Sequence, residues 1–230
     1  MSDVAGKTFV VVGARGGLGR EIASQLSARG ASVIGTSRSA STLADMAGYT
    51  SRQIALDLQD RQSVANFIDD LSSGPVGIDG LVLAAGVVAF GPAAETRPET
   101  LSELMTVNAT AQLEIVTGLA STLAHSGDGV IVSLSGKVAE IPTAGIAAYS
   151  ASKSALYAFS VAAGRELRRA NVRWLDARPG HTETGLATRA VAGTAPDFGA
   201  GLTPSAVAAR IVDAIVNDEK DLPSSAFEGS

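Results

Sequence analysis

The sequence predicts an α/β protein: a doubly wound parallel sheet of about seven strands, with helices on both faces, in a single domain over residues 1–230. Three observations lead there. Short, continuously apolar, β-branched runs alternate with longer stretches of helical periodicity, the pattern of parallel strands joined by crossover helices. The first apolar run passes straight into a glycine cluster that opens a helix. No polar or low-complexity linker divides the chain.

Lys7 to Val12 (Lys-Thr-Phe-Val-Val-Val) is the first strand, buried on both faces. Gly13-Ala-Arg15-Gly-Gly17-Leu18-Gly19 follows it, and an amphipathic helix with Leu18, Ile22 and Leu26 on one side runs to about Gly30. Strand, glycine loop and helix form a cradle for a diphosphate. Glycines let the backbone turn tightly and approach the ligand, and the helix N-terminus offers free N–H groups and positive dipole. The spacing is Gly-x-x-x-Gly-x-Gly, distinct from the Gly-x-Gly-x-x-Gly of many dinucleotide-binding folds. Ala31 to Thr36 is the second strand and completes a βαβ unit. A carboxylate at the end of such a strand would bind the ribose 2′-hydroxyl of NAD; Ser37-Arg38-Ser39 stands there instead. Arg38 suits a 2′-phosphate, which a guanidinium grips through two parallel hydrogen bonds, and Arg15 adds a second positive charge. The expected cofactor is NADP(H) in preference to NAD.

Ser51 to Leu56 is the third strand, leading into Asp57-Leu58. The next helix carries Val64, Phe67, Ile68 and Leu71 as its apolar stripe and stops at Ser72-Ser-Gly-Pro75. Gly80 to Ala84 is a fourth buried strand, and the small residues Ala84-Ala85-Gly86 at its end leave room for a ligand. Pro98 to Ala124 reads as one or two long helices, with Asn108 inside the run. Gly129 to Leu134 is the fifth strand, followed by Ser135-Gly136 and a loop through Pro142 and Gly145. Tyr149-Ser-Ala-Ser-Lys153 opens a long helix that ends near Arg169. Val172 to Ala177 is the sixth strand, followed by Pro179-Gly180-His181-Thr182-Glu183-Thr184. Residues 185–203 are rich in Ala, Gly, Thr and Pro and suggest a mobile flap, which sets substrate choice through Leu186, Val191, Phe198 and Leu202. Pro204 to Val216 is the final helix, and Asp221 to Phe227 supplies a last short strand. In an open parallel sheet, ligands bind at the C-terminal ends of the strands. The glycine loop, Asp57, Ala84–Gly86, Ser135–Gly136 and Pro179–Thr184 all fall at such ends.

Composition removes several function classes. There is no cysteine, so disulfides, thiolate catalysis and Cys-ligated zinc are excluded, and two histidines, His125 and His181, are too few for a His-rich metal site. No metal is expected. A net charge of −5 without any run of Lys and Arg argues against nucleic-acid binding. No window approaches the ~20 apolar residues of a membrane span. The N-terminus lacks a charged-then-apolar signal pattern, so a soluble cytoplasmic protein acting on a small molecule is expected.

The chemistry centres on Tyr149 and Lys153. Four residues apart on a helix, they share a face about one turn apart. A phenol titrates near pH ~10, and a neighbouring ammonium lowers that value by stabilising the phenolate, which would make the tyrosine a proton donor or acceptor nearer neutrality.

Gly13/Gly17/Gly19, Asp57-Leu58, Ala84-Ala85-Gly86, Asn108, Tyr149-Ser-Ala-Ser-Lys153 and Pro179-Gly180, all in this order, resemble the short-chain dehydrogenase/reductase family over nearly the full length. The resemblance implies a Rossmann-type nucleotide-binding domain. It implies Tyr149 as general acid toward a carbonyl oxygen, Lys153 as the group that lowers its pKa and binds the nicotinamide ribose, and Asn108 as the holder of a relay water. It further implies Asp57 at the adenine, Thr182 and Thr184 at the carboxamide and diphosphate, Arg38 as the mark of NADP(H), and a homodimer or homotetramer formed through the two long helices.

The chain also departs from the family pattern. The serine usually found thirteen residues before the tyrosine is Gly136; Ser135, one residue earlier, serves only if the loop register shifts, and Thr143 and Ser133 are weaker substitutes. The family's Asn-Asn-Ala-Gly is Leu83-Ala84-Ala85-Gly86, and the threonine before the first loop glycine is Val12. The leading expectation is NADP(H)-dependent reduction of a ketone, aldehyde or imine of a small organic metabolite. Two alternatives stay open: a nucleotide-binding sensor or scaffold without turnover, and non-redox dehydration, epimerisation or cyclisation.

Overall fold

The first strand, β1 (Thr8–Val12), lies in the interior of the sheet, pairing in parallel with β2 (Ser32–Ser37) on one side and β4 (Gly80–Leu83) on the other. The structure, a computed structural model, describes residues 3–75 and 77–228. β3 (Arg52–Ala55) extends the sheet beyond β2, while β5 (Gly129–Leu134), β6 (Val172–Ala177) and β7 (Asp221–Leu222) extend it beyond β4. All pairings are parallel, and the order is β3-β2-β1-β4-β5-β6-β7 across seven strands. The direction of winding reverses between β1 and β4, which opens a crevice at their C-terminal ends.

Strand alternation divides the core into two layers. Phe9 and Val11 face α1 (Gly17–Ala28) and α7 (Pro204–Val216) together with Val33, Val82 and Val132. Val10 and Val12 point the other way with Ile34, Leu81 and Ile131, onto α2 (Arg61–Ser72), α4 (Ala111–His125) and α6 (Ala147–Leu167). Both faces of every central strand are therefore covered, which is why the strands read as continuous apolar runs.

Several local expectations are refined. The run from 98 to 124 is two helices, α3 (Pro98–Met105) and α4, joined by a single π turn at Thr106–Thr110 that contains Asn108. The long helix α6 starts at Ala147, two residues ahead of Tyr149, so both Tyr149 and Lys153 sit on formed helix. The last strand is only Asp221–Leu222; Pro223, with no N–H for the ladder, ends it and a 3₁₀ turn at Ser224–Phe227 follows. A 3₁₀ stretch at Ala40–Met46, without a counterpart in the sequence pattern, follows β2 and is capped by the Ser39 hydroxyl.

Residues 185–203, the expected flap, are joined to neighbouring segments by backbone hydrogen bonds. Val191 N–H donates to the Val88 carbonyl at 2.8 Å and Phe90 N–H to the Ala192 carbonyl at 2.9 Å. Further along, Leu202 N–H donates to the His181 carbonyl and Glu183 N–H to the Leu202 carbonyl, at 2.8 and 3.0 Å. Backbone pairing at two points ties the segment over the strand ends. A weak periodicity removes helix and strand from consideration but carries no information about such long-range pairing.

Candidate active site

The glycine loop is built by close approach. Gly13 has φ +84°, and a Cβ on it would stand 2.8 Å from the Ala85 nitrogen. A Cβ on Gly19 would stand 2.3 Å from the Gly13 carbonyl oxygen, and one on Gly17 2.7 Å from the Thr184 Cβ. The loop thus brings β1, the end of β4 and the Pro179–Thr184 segment together around the N-terminus of α1. No side chain caps that helix end, so its first N–H groups have no side-chain acceptor. Leu18 packs partly into the core beneath, and Leu58 is buried in the opposite layer. A diphosphate fits this donor set.

At the end of β2, Arg38 is exposed and forms no hydrogen bond or ion pair among the described residues. Arg15 is different: its Nε donates to Asp45 Oδ2 at 2.8 Å on the exposed 3₁₀ stretch, so its charge is shared with a carboxylate. Asp57 accepts the Gln59 N–H through Oδ1 at 3.0 Å while its own N–H donates to Ser63, which fixes the carboxylate at the strand end.

Asn108 sits at the π turn with no solvent exposure. Its Oδ1 accepts Val87 N–H at 2.9 Å, and its Nδ2 donates to the Val87 carbonyl at 2.8 Å and to Ser152 Oγ at 3.0 Å. The amide thereby replaces the strand partner that β4 loses beyond Leu83. One turn further on, Gln112 donates to the Ala85 carbonyl at 3.0 Å and the Val107 carbonyl at 2.9 Å. Together the two amides hold Ala85 and Val87, just after Leu83-Ala84, where the asparagines of Asn-Asn-Ala-Gly are missing. Gln112 was not picked out from the sequence; its position four residues after Asn108 is the signal that points to it. Gly86 lies between Asn108 and Lys153: a Cβ there would stand 3.2 Å from Asn108 Oδ1 and 3.4 Å from Lys153 Nζ.

Lys153 is buried, and its ammonium donates to the Leu134 carbonyl at 2.7 Å. Burial pushes its pKa down to about 8, against the pull of Asp176. Tyr149, half-buried on the same helix, has its phenol pushed up to about 12 by desolvation. The expected lowering of the phenol by Lys153 is therefore absent. The ammonium points to the Leu134 carbonyl, and the loss of water around the phenol dominates.

Ser135 does not reach toward substrate. Its hydroxyl is fully buried and donates to Asp176 Oδ2 at 2.5 Å. Ser133 donates to the other oxygen of the same carboxylate and accepts Trp174 Nε1–H at 2.9 Å. The Gly136 N–H donates to the Ala177 carbonyl at 3.3 Å, and the Lys137 N–H to the Pro179 carbonyl at 3.0 Å. Thr143 Oγ1 donates to the Ile141 carbonyl at 3.0 Å. Every candidate for the missing serine's hydrogen bond is committed elsewhere, whereas the Tyr149 hydroxyl has no protein acceptor among the described residues.

Pro179–Thr184 lies where the sequence puts it, against the glycine loop through Thr184. Thr182 Oγ1 donates to the Gly180 carbonyl and Thr184 Oγ1 accepts the Leu186 N–H. His181 stacks on Phe198 with centroids 4.8 Å apart, and Phe198 meets Phe90 at 5.9 Å.

The family model described as short chain dehydrogenase matches residues 7–194. The chain is 28% identical over 209 residues to the 3-oxoacyl-(acyl-carrier-protein) reductase of Escherichia coli K12, covering 90% of this chain and 84% of that one. A short-chain dehydrogenase from Streptomyces avermitilis superposes with a TM-score of 0.85 at 26% identity, covering 96% and 90% of the two chains. A Beutenbergia cavernae structure described as a candidate NAD(P)-dependent gluconate 5-dehydrogenase, with bound NADP at low occupancy, gives 0.84 at 26% identity, covering 98% and 97%. With its parallel sheet, its glycine cradle and its Tyr149/Lys153 pair, the chain belongs to the short-chain dehydrogenase family of oxidoreductases.

Proposed function

We propose that this protein is an NADP(H)-dependent reductase of a carbonyl group on a small organic metabolite, with Tyr149 as the proton donor. The observation that carries this reading is the position of Lys153: buried, bonded to Leu134, and beside Gly86 and Asn108 at the strand ends, one turn from Tyr149. A bound reduced nicotinamide supplies the hydride. Gly13, Gly17 and Gly19 with the start of α1 hold the diphosphate, and Asp57 with Leu58 borders the adenine. Thr182 and Thr184 flank the nicotinamide end. Tyr149 gives its phenolic proton to the substrate oxygen, and Lys153, its ammonium bonded to the Leu134 carbonyl, borders the nicotinamide ribose. A phenol held up at about 12 keeps its proton across the neutral range and is a donor throughout it.

Arg38 supports NADP(H), since at the end of β2 it has no ion-pair partner among the described residues, whereas Arg15 is shared with Asp45. The NADP in the related gluconate dehydrogenase structure points the same way. Loss of a charge-assisted hydrogen-bonding group is worth about 1.5–3 kcal/mol. Arg38→Ala is therefore expected to weaken NADPH about 10- to 100-fold in a fluorescence titration and to leave NADH affinity in place; equal loss for both cofactors speaks against this assignment.

The reductase is tested by NADPH oxidation over a panel of ketones, aldehydes and imines. Tyr149→Phe is expected to cut turnover by about 10²–10⁴-fold with NADPH affinity unchanged. Binding of NADPH with turnover indifferent to Tyr149→Phe would end the proposal. A second reading, nucleotide binding without turnover, is favoured by one observation: Ser135 and the Gly136 N–H are both committed away from the substrate. Stoichiometric NADPH consumption on any panel member removes it. Assembly as a homodimer or homotetramer through α4 and α6 belongs to the leading reading and is read by light scattering.

A further inference from the structure

The face of β5 and β6 beneath α6 carries a polar cluster in place of core. Ser133 and Asp176 are register partners, so Ser133, Ser135, Trp174, Asp176 and Arg178 all point to one side of the sheet. Asp176 is 4% exposed. Its carboxylate accepts from Ser133, from Ser135 at 2.5 Å and from Arg178 Nη1 at 3.0 Å. Arg178 also binds Glu140, from the short helix α5 (Lys137–Glu140), and Asp221 at 2.8 Å, and its guanidinium lies 4.6 Å from the Tyr157 ring centroid. Glu140 in turn accepts the Ser224 hydroxyl at 2.6 Å. A buried charged pair, Asp176 in β6 and Arg178 just past its end, costs desolvation that a Val or Leu would avoid, so a structural role alone is a weak reason for it.

The cluster sits directly behind the catalytic lysine. Lys153 donates to the Leu134 carbonyl, and Ser135, the next residue, is the one that Asp176 holds. We infer that Asp176 is a positioning residue for Lys153: its carboxylate, anchored by Ser133, Ser135 and Arg178, fixes the Leu134–Ser135 peptide and supplies the buried negative charge that keeps the lysine protonated on that carbonyl. The groups around Lys153 leave little else to do this. Asn108 and Gly86 face it from β4 and the π turn and carry no charge, Tyr149 is neutral one turn back, and Asp176 is the carboxylate that acts on it. Burial pushes the Asp176 carboxyl up, and the hydroxyl donors Ser133 and Ser135 and the Arg178 guanidinium, which never loses its proton, pull it back toward the ionised form. The same pull draws Ser135 inward and hands the turn to Gly136, at φ +77°, which accounts for a glycine at the position of the usual serine.

This inference rests on the reading of Lys153 as a cation of the site, but its test needs no turnover. Cofactor-free protein carrying ¹³C at the lysine ε-carbon is titrated by NMR, with the Lys153 signal assigned by its loss in Lys153→Met. The wild-type midpoint is expected near 8. Asp176→Asn, isosteric and still able to meet Arg178, is expected to lower that midpoint by about one unit or more. Asp176→Glu, which keeps the negative charge, is expected to leave it near the wild-type value. A downward shift in Asp176→Asn that Asp176→Glu does not share distinguishes an electrostatic role from a merely structural one, which would move both variants alike or neither. An unchanged midpoint in Asp176→Asn overturns the inference, and so does a wild-type midpoint below about 7, a measurement that needs no variant to fold. If the panel shows no reduction but the midpoints move as stated, the fault lies with the reductase proposal and the role of Asp176 stands.

Discussion

Asn108→Ala separates two roles that the same side chain holds. A relay residue that contacts only water and ligand would be lost at little cost in stability. In this structure the amide instead completes the backbone of Val87. Truncation leaves the Val87 N–H and carbonyl without their partners at 2.9 and 2.8 Å, in a residue only 7% exposed, and removes the bond to Ser152. Each buried, unsatisfied backbone group costs about 1–3 kcal/mol, so the two together set a loss of about 2–6 kcal/mol. Such a loss is a large part of the 5–15 kcal/mol that holds a typical domain together, about. The assay is equilibrium urea unfolding of the cofactor-free protein, read as a shift in midpoint at constant slope. In a thermal scan each kcal/mol corresponds to about 2–4 °C for a chain of this size. The π turn adds a second readout: without Asn108 the extra residue has no bond to keep it, and amide exchange at 106–110 is expected to rise. A change below about 1 kcal/mol, with exchange unaltered, would refute the claim that Asn108 is part of the sheet's framework.

Two further predictions follow from the same site. Gly136→Ser places a side chain on a backbone at φ +77°, ψ 163°, where only glycine is at ease, although a Cβ there would have no neighbour nearer than the Pro179 oxygen at 3.8 Å. The strain costs about 1–3 kcal/mol, so restoring the family residue is expected to lower the urea midpoint, and a rise would show that the loop relaxes to accept it. Lys153 makes stability depend on pH. Its pKa falls from 10.5 unfolded to about 8 folded, so between these values the unfolded chain holds the extra proton and stability rises with pH. Above pH 10 the sign reverses for Tyr149, whose folded phenol keeps its proton up to about 12. Relative to Lys153→Met, the wild type is expected to gain up to about 1.4 kcal/mol per pH unit across the lysine window; parallel profiles for the two proteins would sink this.

The sequence by itself determined the sheet, because strand burial and helix amphipathicity are properties of short stretches that alternate along the chain. Six of the seven strands lie within a residue or two of their apolar runs. It also determined that the glycine loop, Asp57, Asn108, Tyr149 and Lys153 occupy strand ends and one helix face, since those positions depend on spacing within single elements. Asp176 and Arg178 were legible only as charges at the end of the sixth strand, a signal without a direction. What tertiary structure alone decided is where each donor points. Ser135 turns to Asp176, a strand away; the Gly136 N–H turns to Ala177; Lys153 turns to Leu134, and Tyr149 is left with a raised pKa where local spacing implied a lowered one. Residues 185–203 are tied to Val88–Phe90 by backbone pairing across about a hundred residues of chain. Hydrogen bonds and desolvation act between atoms that the fold brings together from distant positions, and no local pattern records them.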